Sequence, residues 1–368
     1  MSSAAVTTQD LAGSEETAKR LTRIWEDLLG LQPIQPDQNY FDLGGDSLLA
    51  VQMFAQIDKV FQLKLPVATL FEAPTIADLA QIVDREAPRS RWSSLVAVQP
   101  KGSRPPFFCM HGAGGNVLIY RELSKRLGED QPFYGLQSYG LEGDSEPKSR
   151  IEEMAKLYVQ EIRRKQPKGP YFLGGYCLGG TIAYEVAQQL TAGGEKVALL
   201  ALFDTLNWCK LPPLTAWKKT IVAVEKIVFH ALNYLRLDGS GKKAFLKEKV
   251  QAVRNRIPVW RGTVINRFAG NSEMQNSSSR ILGKIWLAND IASMAYIPKP
   301  YPGVVTDFRP LRQYSIYKRT DLKWEELAEG GQEIVRLPVY PAGMLLEPFV
   351  KVLAEGLKAR LETGAKAE

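Results

Sequence analysis

At 368 residues, 45% hydrophobic and 24% charged, the chain has the composition of a soluble globular protein with room for two or three domains and a large core. Its formal charge of +7 is mild and spread along the sequence, without the clustering or motif of a nucleic-acid footprint, so no nucleic-acid partner is expected. Cys109, Cys177 and Cys209 are too few and scattered for a disulfide framework or a metal site, and neither a signal peptide nor a membrane span of roughly 20 apolar residues is present, so the expected location is cytoplasmic.

Met1 to Gly13 are small and polar and read as a disordered lead-in. From Ser14 the pattern turns helical, with Leu21, Ile24, Trp25, Leu28 and Leu29 on one face. A loop with Pro33 and Pro36 leads to Phe41-Asp42-Leu43-Gly44-Gly45-Asp46-Ser47-Leu48, and a second helix follows to about Phe61. The turn Leu70-Phe71-Glu72-Ala73-Pro74-Thr75 introduces a last helix carrying Ile76, Leu79, Ile82 and Val83. The expected unit is a small all-α, four-helix-type bundle over residues 14–86 with one serine at the mouth of a helix.

F-D-L-G-G-D-S-L followed by L-F-E-A-P-T-I resembles the peptidyl or acyl carrier domains of assembly-line synthetases. That resemblance implies that Ser47 is where a phosphopantetheinyl transferase attaches 4′-phosphopantetheine, whose thiol carries acyl groups as thioesters. A serine at a helix N-terminus also sits where backbone N–H groups and the helix dipole suit a phosphodiester. The plainer alternative for Ser47 alone is a helix N-cap.

Residues 87–98 are expected to be a linker, and an α/β domain to occupy 99–363. Pro105 to Met110 reads as a buried strand ending in His111-Gly112-Ala113-Gly114-Gly115, and apolar strands then alternate with helices in the pattern of a parallel sheet covered on both faces. Leu173-Gly174-Gly175-Tyr176-Cys177-Leu178-Gly179-Gly180 has the form of a nucleophile elbow, G-x-C-x-G. There Cys177 would project at a helix N-terminus, a setting that favours a thiolate; a structural cysteine in a tight packing turn is the alternative. Val197 to Phe203 is a further strand with Asp204 at its tip.

This order of motifs is that of an α/β-hydrolase, and P-F-F-C-M-H-G-A-G-G-N resembles the opening of type I thioesterase domains of nonribosomal peptide and polyketide synthetases. The resemblance implies Cys177 as nucleophile where the family usually has serine, and the N–H groups of Ala113 and Leu178 as oxyanion hole. It also implies Asp204 as the acid, although this residue could simply cap the next segment, and a helical lid over about 206–300. The family's histidine should precede Met344-Leu345-Leu346-Glu347-Pro348, but Pro341 stands at its position. Of the two histidines in the chain, His111 belongs to the oxyanion-loop motif and His230 is expected to be packed. Tyr340 is either a substitute proton carrier or a packed aromatic.

A cysteine without a histidine can still exchange thioesters, whereas water without a base is a poor second nucleophile. The expected function is therefore that of a terminal carrier–thioesterase didomain that takes an acyl or peptidyl thioester from upstream adenylation, condensation or other synthase proteins acting in trans. The chain on Ser47 passes to Cys177 and leaves by hydrolysis, aminolysis or cyclisation, the latter two favoured. The alternatives are a non-catalytic acyl-binding module and a condensing or editing enzyme on the same scaffold.

Overall fold

The computed structural model describes residues 8–85, 93–142, 145–206, 216–243, 245–246, 249–250, 273–317 and 324–366. Cys209, residues 86–92 of the expected linker region and most of residues 244–272 lie outside them. The chain divides into two compact units, Met1–Trp92 with Lys247–Arg280, and Ser93–Leu246 with Ile281–Glu368.

The first unit holds α1 (Thr8–Leu29), α2 (Ser47–Phe61), a 3-10 turn at Val67–Phe71 and α3 (Ile76–Asp84). The first helix thus begins within the segment read as a disordered lead-in. Leu21, Trp25, Leu49, Met53, Ile57, Leu70, Ile76 and Leu79 form its core. The Thr75 side chain caps α3 by accepting the Asp78 N–H, and Arg20 donates to the Val60 carbonyl, tying α1 to the end of α2.

The second unit is built on seven strands: β1 (Leu95–Gln99), β2 (Phe107–Met110), β3 (Phe133–Leu136), β4 (Tyr171–Tyr176), β5 (Val197–Phe203), β6 (Val305–Arg309) and β7 (Gln332–Arg336). Their order is β1-β3-β2-β4-β5-β6-β7. All pairs are parallel except β1 with β3, so the sheet is mixed, and the last part of the segment read as linker is its antiparallel edge strand.

Side chains alternate across the sheet as strand geometry requires. Phe108, Met110, Tyr134, Leu136, Leu173, Leu200 and Leu202 meet α5 (Ile151–Lys165) and α6 (Leu178–Ala192) in one core. Phe107, Phe133, Phe203 and Phe308 form an edge-packed aromatic row on the other side. The helices α4 (Arg121–Leu127) and α10 (Val350–Lys366) pack together, and Gly356 and Gly364 of α10 abut Phe308 and Phe172. Between β5 and β6 lie α7 (Ala216–Leu235) and α8 (Glu273–Ala295); a short α9 (Trp324–Leu327) precedes β7. No helix among the described residues is long and apolar enough to cross a membrane.

The tightest junction is where α6 leaves β4. A Cβ on Gly175 would lie 2.1 Å from the Gly179 carbonyl carbon, and one on Gly179 would lie 2.2 Å from the Met110 carbonyl oxygen. Gly175→Ala is expected to lower the stability of this unit by about 3 kcal/mol, since backbone rather than a flexible side chain must yield. Gly283→Ala in α8, where nothing lies within 4 Å of the new methyl, should raise it by roughly 0.5–1 kcal/mol. Urea denaturation of the two variants checks both signs.

Candidate functional site

In the carrier unit, Ser47 is the first residue of α2, half-buried, and its hydroxyl makes no hydrogen bond among the described residues. The preceding turn is held by Tyr40, whose hydroxyl donates to the Asp46 carbonyl at 3.0 Å and whose ring occupies the space that a Cβ on Gly45 would need. Asp46 is the N-cap: its Oδ1 accepts the N–H groups of both Leu48 and Leu49 at 2.9 Å. Two of the N–H groups at this helix start are thus already held by the Asp46 carboxylate.

In the α/β unit, Cys177 sits between β4 and α6 with φ 56 and ψ −117, a left-handed conformation that costs energy for any side chain. Flanking glycines make it possible, and Cys177 N–H donates to the Phe203 carbonyl at 2.9 Å, fixing the turn against β5. Leu178 is the first residue of α6, so its backbone N–H stands beside the elbow, where it acts to lower the pKa of the Cys177 thiol.

The Ala113 loop is held from behind. The Gly112 carbonyl lies 2.7 Å from His111 Nδ1 and accepts Gly115 N–H at 3.0 Å. Both bonds pin the peptide whose N–H belongs to Ala113. His111 is fully buried, with Nε2 2.8 Å from the Tyr158 hydroxyl, and burial lowers its pKa to about 4. It is a neutral strut of the loop, not a displaced base.

The state of the thiol differs from the sequence expectation. Burial pushes Cys177 up to about 12, and the charge of Asp204 and, more weakly, of Asp290 on α8 add to it; the Leu178 N–H acts in the opposite sense and is outweighed. The residue keeps some exposed surface, and the burial of its sulfur works against the thiolate that the helix terminus favours.

Asp204, at the tip of β5 with φ 44, donates its N–H to the Phe308 carbonyl at 3.0 Å. Burial raises its carboxyl to about 6, against a hydrogen bond from the Gln313 amide to Oδ1 that lowers it, with Asp307 raising it further. The acid therefore has a partner in Gln313, which follows β6. No motif marks this glutamine; the only signal for it was an aspartate left without its histidine.

Where that histidine is absent, the backbone is sealed by packing. Pro341 opens a 3-10 turn, Tyr340 N–H donates to Asn233 Oδ1 of α7 at 2.9 Å, and the Tyr340 ring stacks on Phe229 with centroids 5.2 Å apart. Tyr340 is thus a packed aromatic. His230, on the same helix, lies against Phe245 with ring centroids 6.2 Å apart. Among the described residues no group of three or more His, Cys, Asp and Glu side chains could hold a metal ion.

Comparison with known proteins bears on both units. Residues 19–83 match the family described as phosphopantetheine attachment site, and residues 105–260 that described as thioesterase domain. The chain is 40% identical over 184 residues to a dimodular nonribosomal peptide synthase of Bacillus subtilis (strain 168), covering 50% of this chain and 8% of that protein. It is 40% identical over 179 residues to an indigoidine synthase of Dickeya dadantii (strain 3937), covering 49% and 12%. It therefore spans only a small part of the curated relatives it matches. Among solved structures, a holo four-domain nonribosomal peptide synthetase bound to AMP and glycine aligns over 98% of this chain and 27% of its own, with TM-score 0.58 and 26% identity. The NocB thioesterase domain of the nocardicin cluster, at 20% identity, TM-score 0.50 and coverage of 73% and 99%, shares the fold.

With a thiol held near 12, alkylation of Cys177 by iodoacetamide, followed by peptide mass spectrometry, should accelerate about tenfold per pH unit from pH 7 to 10. A plateau by pH 8 would mean that the thiolate is already formed. Asp204→Asn, which removes a nearby negative charge, should speed alkylation at pH 8. Because Asp204 titrates higher in the fold than in the unfolded chain, the native state binds the extra proton, and wild type should lose stability relative to Asp204→Asn as pH rises from the ordinary carboxylate value to about 6.

Proposed function

The chain is a phosphopantetheine carrier domain followed by a thioesterase domain, in the layout of nonribosomal peptide synthetases, and from that premise we propose that it acts as a cysteine acyltransferase with Cys177 as nucleophile. The observation that carries this reading is the left-handed elbow that sets Cys177 between β4 and the first residue of α6, Leu178, while Asp204 is bound by Gln313.

Ser47 suits the attachment of the prosthetic group: its hydroxyl has no hydrogen-bond partner among the described residues, and Asp46 caps the helix in its place. Once attached by a phosphopantetheinyl transferase, the group supplies a thiol that presents the acyl chain as a thioester. Upstream synthetase modules are the proposed source of that chain.

Cys177 Sγ adds to the thioester carbonyl carbon, and the N–H groups of Leu178 and Ala113 take the charge that develops on the carbonyl oxygen. The acyl–sulfur bond to Cys177 forms as the bond to the departing thiol breaks, and the Cys177 proton ends on that thiol. The attacking species is the thiolate fraction present at equilibrium, small at neutral pH. Release then depends on the second nucleophile. Water must lose a proton as it attacks, and a glutamine amide cannot accept one. An amine attacks through its lone pair and sheds its proton afterwards, to the departing Cys177 sulfur. Aminolysis or cyclisation onto an internal amine is thus favoured over hydrolysis.

Intact-protein mass spectrometry of the holo chain loaded with a simple acyl thioester tests the first step. Acyl mass should pass to Cys177 in wild type, remain on the arm in Cys177→Ala and fail to load in Ser47→Ala. Acyl mass that stays on the arm in wild type would leave a carrier beside an acyl-binding domain. Gln313→His, which sets an imidazole against Asp204, is expected to increase release to water several-fold, by analogy with the general-base contribution of about a hundredfold or more; unchanged release would place position 313 outside the proton path.

A further inference from the structure

Helix α8 touches both sides of the oxyanion hole. Asn289, fully buried in the middle of the helix, donates from Nδ2 to the Ala113 carbonyl at 2.8 Å. One turn earlier, Ile285 packs against Gly115, whose φ is +79 and whose missing Cβ would fall 2.7 Å from Ile285 Cγ2. The Trp286 ring edge lies 3.9 Å from the corresponding point of Gly114. Directly after the end of α8, the buried Tyr296 hydroxyl donates to Glu185 Oε2 at 2.7 Å, and Glu185 belongs to α6, the helix whose first residue is Leu178. The loop of one oxyanion donor and the helix of the other are therefore fastened to a single rod.

Packing alone does not account for an asparagine at 289. Its Oδ1 is buried and has no hydrogen-bond partner, an unfavourable state that a leucine of similar shape would avoid. What leucine lacks is the amide donor to Ala113.

We propose that Asn289 is a positioning residue for acyl transfer, holding the Ala113 loop at its working distance from the elbow, so that this part of the segment between β5 and β6 is a strut of the oxyanion hole and not a free lid. This rests on the reading of Ala113 and Leu178 as the oxyanion donors. The Gly112 carbonyl is fixed by His111 and Gly115, which sets the direction of the Ala113 N–H; the Ala113 carbonyl is fixed by Asn289, which sets where the loop stands.

The test compares wild type, Asn289→Leu and Asn289→Ala as whole chains with two reagents that reach Cys177. A soluble butyryl thioester of N-acetylcysteamine needs the oxyanion hole, and intact mass reads acylation. Iodoacetamide does not need it, because it reacts by displacement at a saturated carbon. In both variants the limiting acylation rate should fall about tenfold to a hundredfold, as expected when a donor is displaced, with little change in the half-saturating thioester concentration. Alkylation should stay within about twofold of wild type, the usual size of an effect that leaves the thiol's surroundings intact. The Leu variant should be at least as thermally stable as wild type. Acylation at the wild-type rate in Asn289→Leu would overturn the proposal, and so would acylation and alkylation falling together. A wild-type protein that is alkylated but never acylated would overturn the oxyanion reading itself, and the strut with it.

Discussion

The site depends on how closely α6 is seated on the sheet. Three glycines let backbone lie where side chains would collide: Gly175 against Gly179, Gly179 against Met110, and Gly180 against Thr205, whose Oγ1 stands 1.9 Å from the missing Cβ. Their contact forces Cys177 into a left-handed turn and sets Leu178 as the first helical residue. It also brings the Asp204–Thr205 turn against the first turn of α6, a turn further held by Trp324 Nε1, which donates to the Thr205 carbonyl at 3.0 Å. The proposed nucleophile, oxyanion donor and acid thus all take their places from one packing contact.

The same compactness governs the chemistry. A rise of the thiol from its ordinary value of 9.0 to about 12 disfavours the thiolate by about 4 kcal/mol, far more than a helix terminus returns. Burial also keeps Asp204 from being a strong anion and leaves its charge to be met by a single amide. The proposed nucleophile thus stands beside its proposed oxyanion donors without an imidazole, an arrangement that suits exchange between sulfur atoms, where the proton lost by one thiol is gained by another. It suits attack by water poorly.

Most of the fold was legible in the sequence, because glycines and buried strands leave strong local marks. The F-D-L-G-G-D-S-L loop, the H-G-A-G-G strand tip and the G-x-C-x-G elbow each combine a steric demand with a fixed spacing. Edges were harder. β1 is five residues long and only partly buried, so Leu95 to Gln99 resembled the end of a linker, and its antiparallel pairing with β3 has no local signature. The helix start at Thr8 was hidden by small polar residues that form a helix only as an extension of α1.

The electrostatics of the site were not legible, for a physical reason. A motif names the residues at the elbow but not what buries them, and the groups that decide the outcome, Gln313, Asn233 and Asn289, come from segments between about 55 and 135 positions away from Cys177 with no pattern of their own. Asp46 is the local counterpart: its place before Ser47 was visible, but the competition for the Leu48 and Leu49 N–H groups was resolved only by geometry.

The most direct measurement of the central claim, that this site transfers acyl groups without a general base for water, is the partition of the acyl group once it is on Cys177. Acyl protein would be divided among buffers of constant pH and ionic strength with increasing concentrations of a primary amine, and free acid and amide quantified from the same samples. The account predicts amide formed in proportion to amine, with free acid a minor and slow product throughout. Rapid free acid, dependent on Cys177 and indifferent to amine, would contradict it and show that the fold supplies water with a base after all.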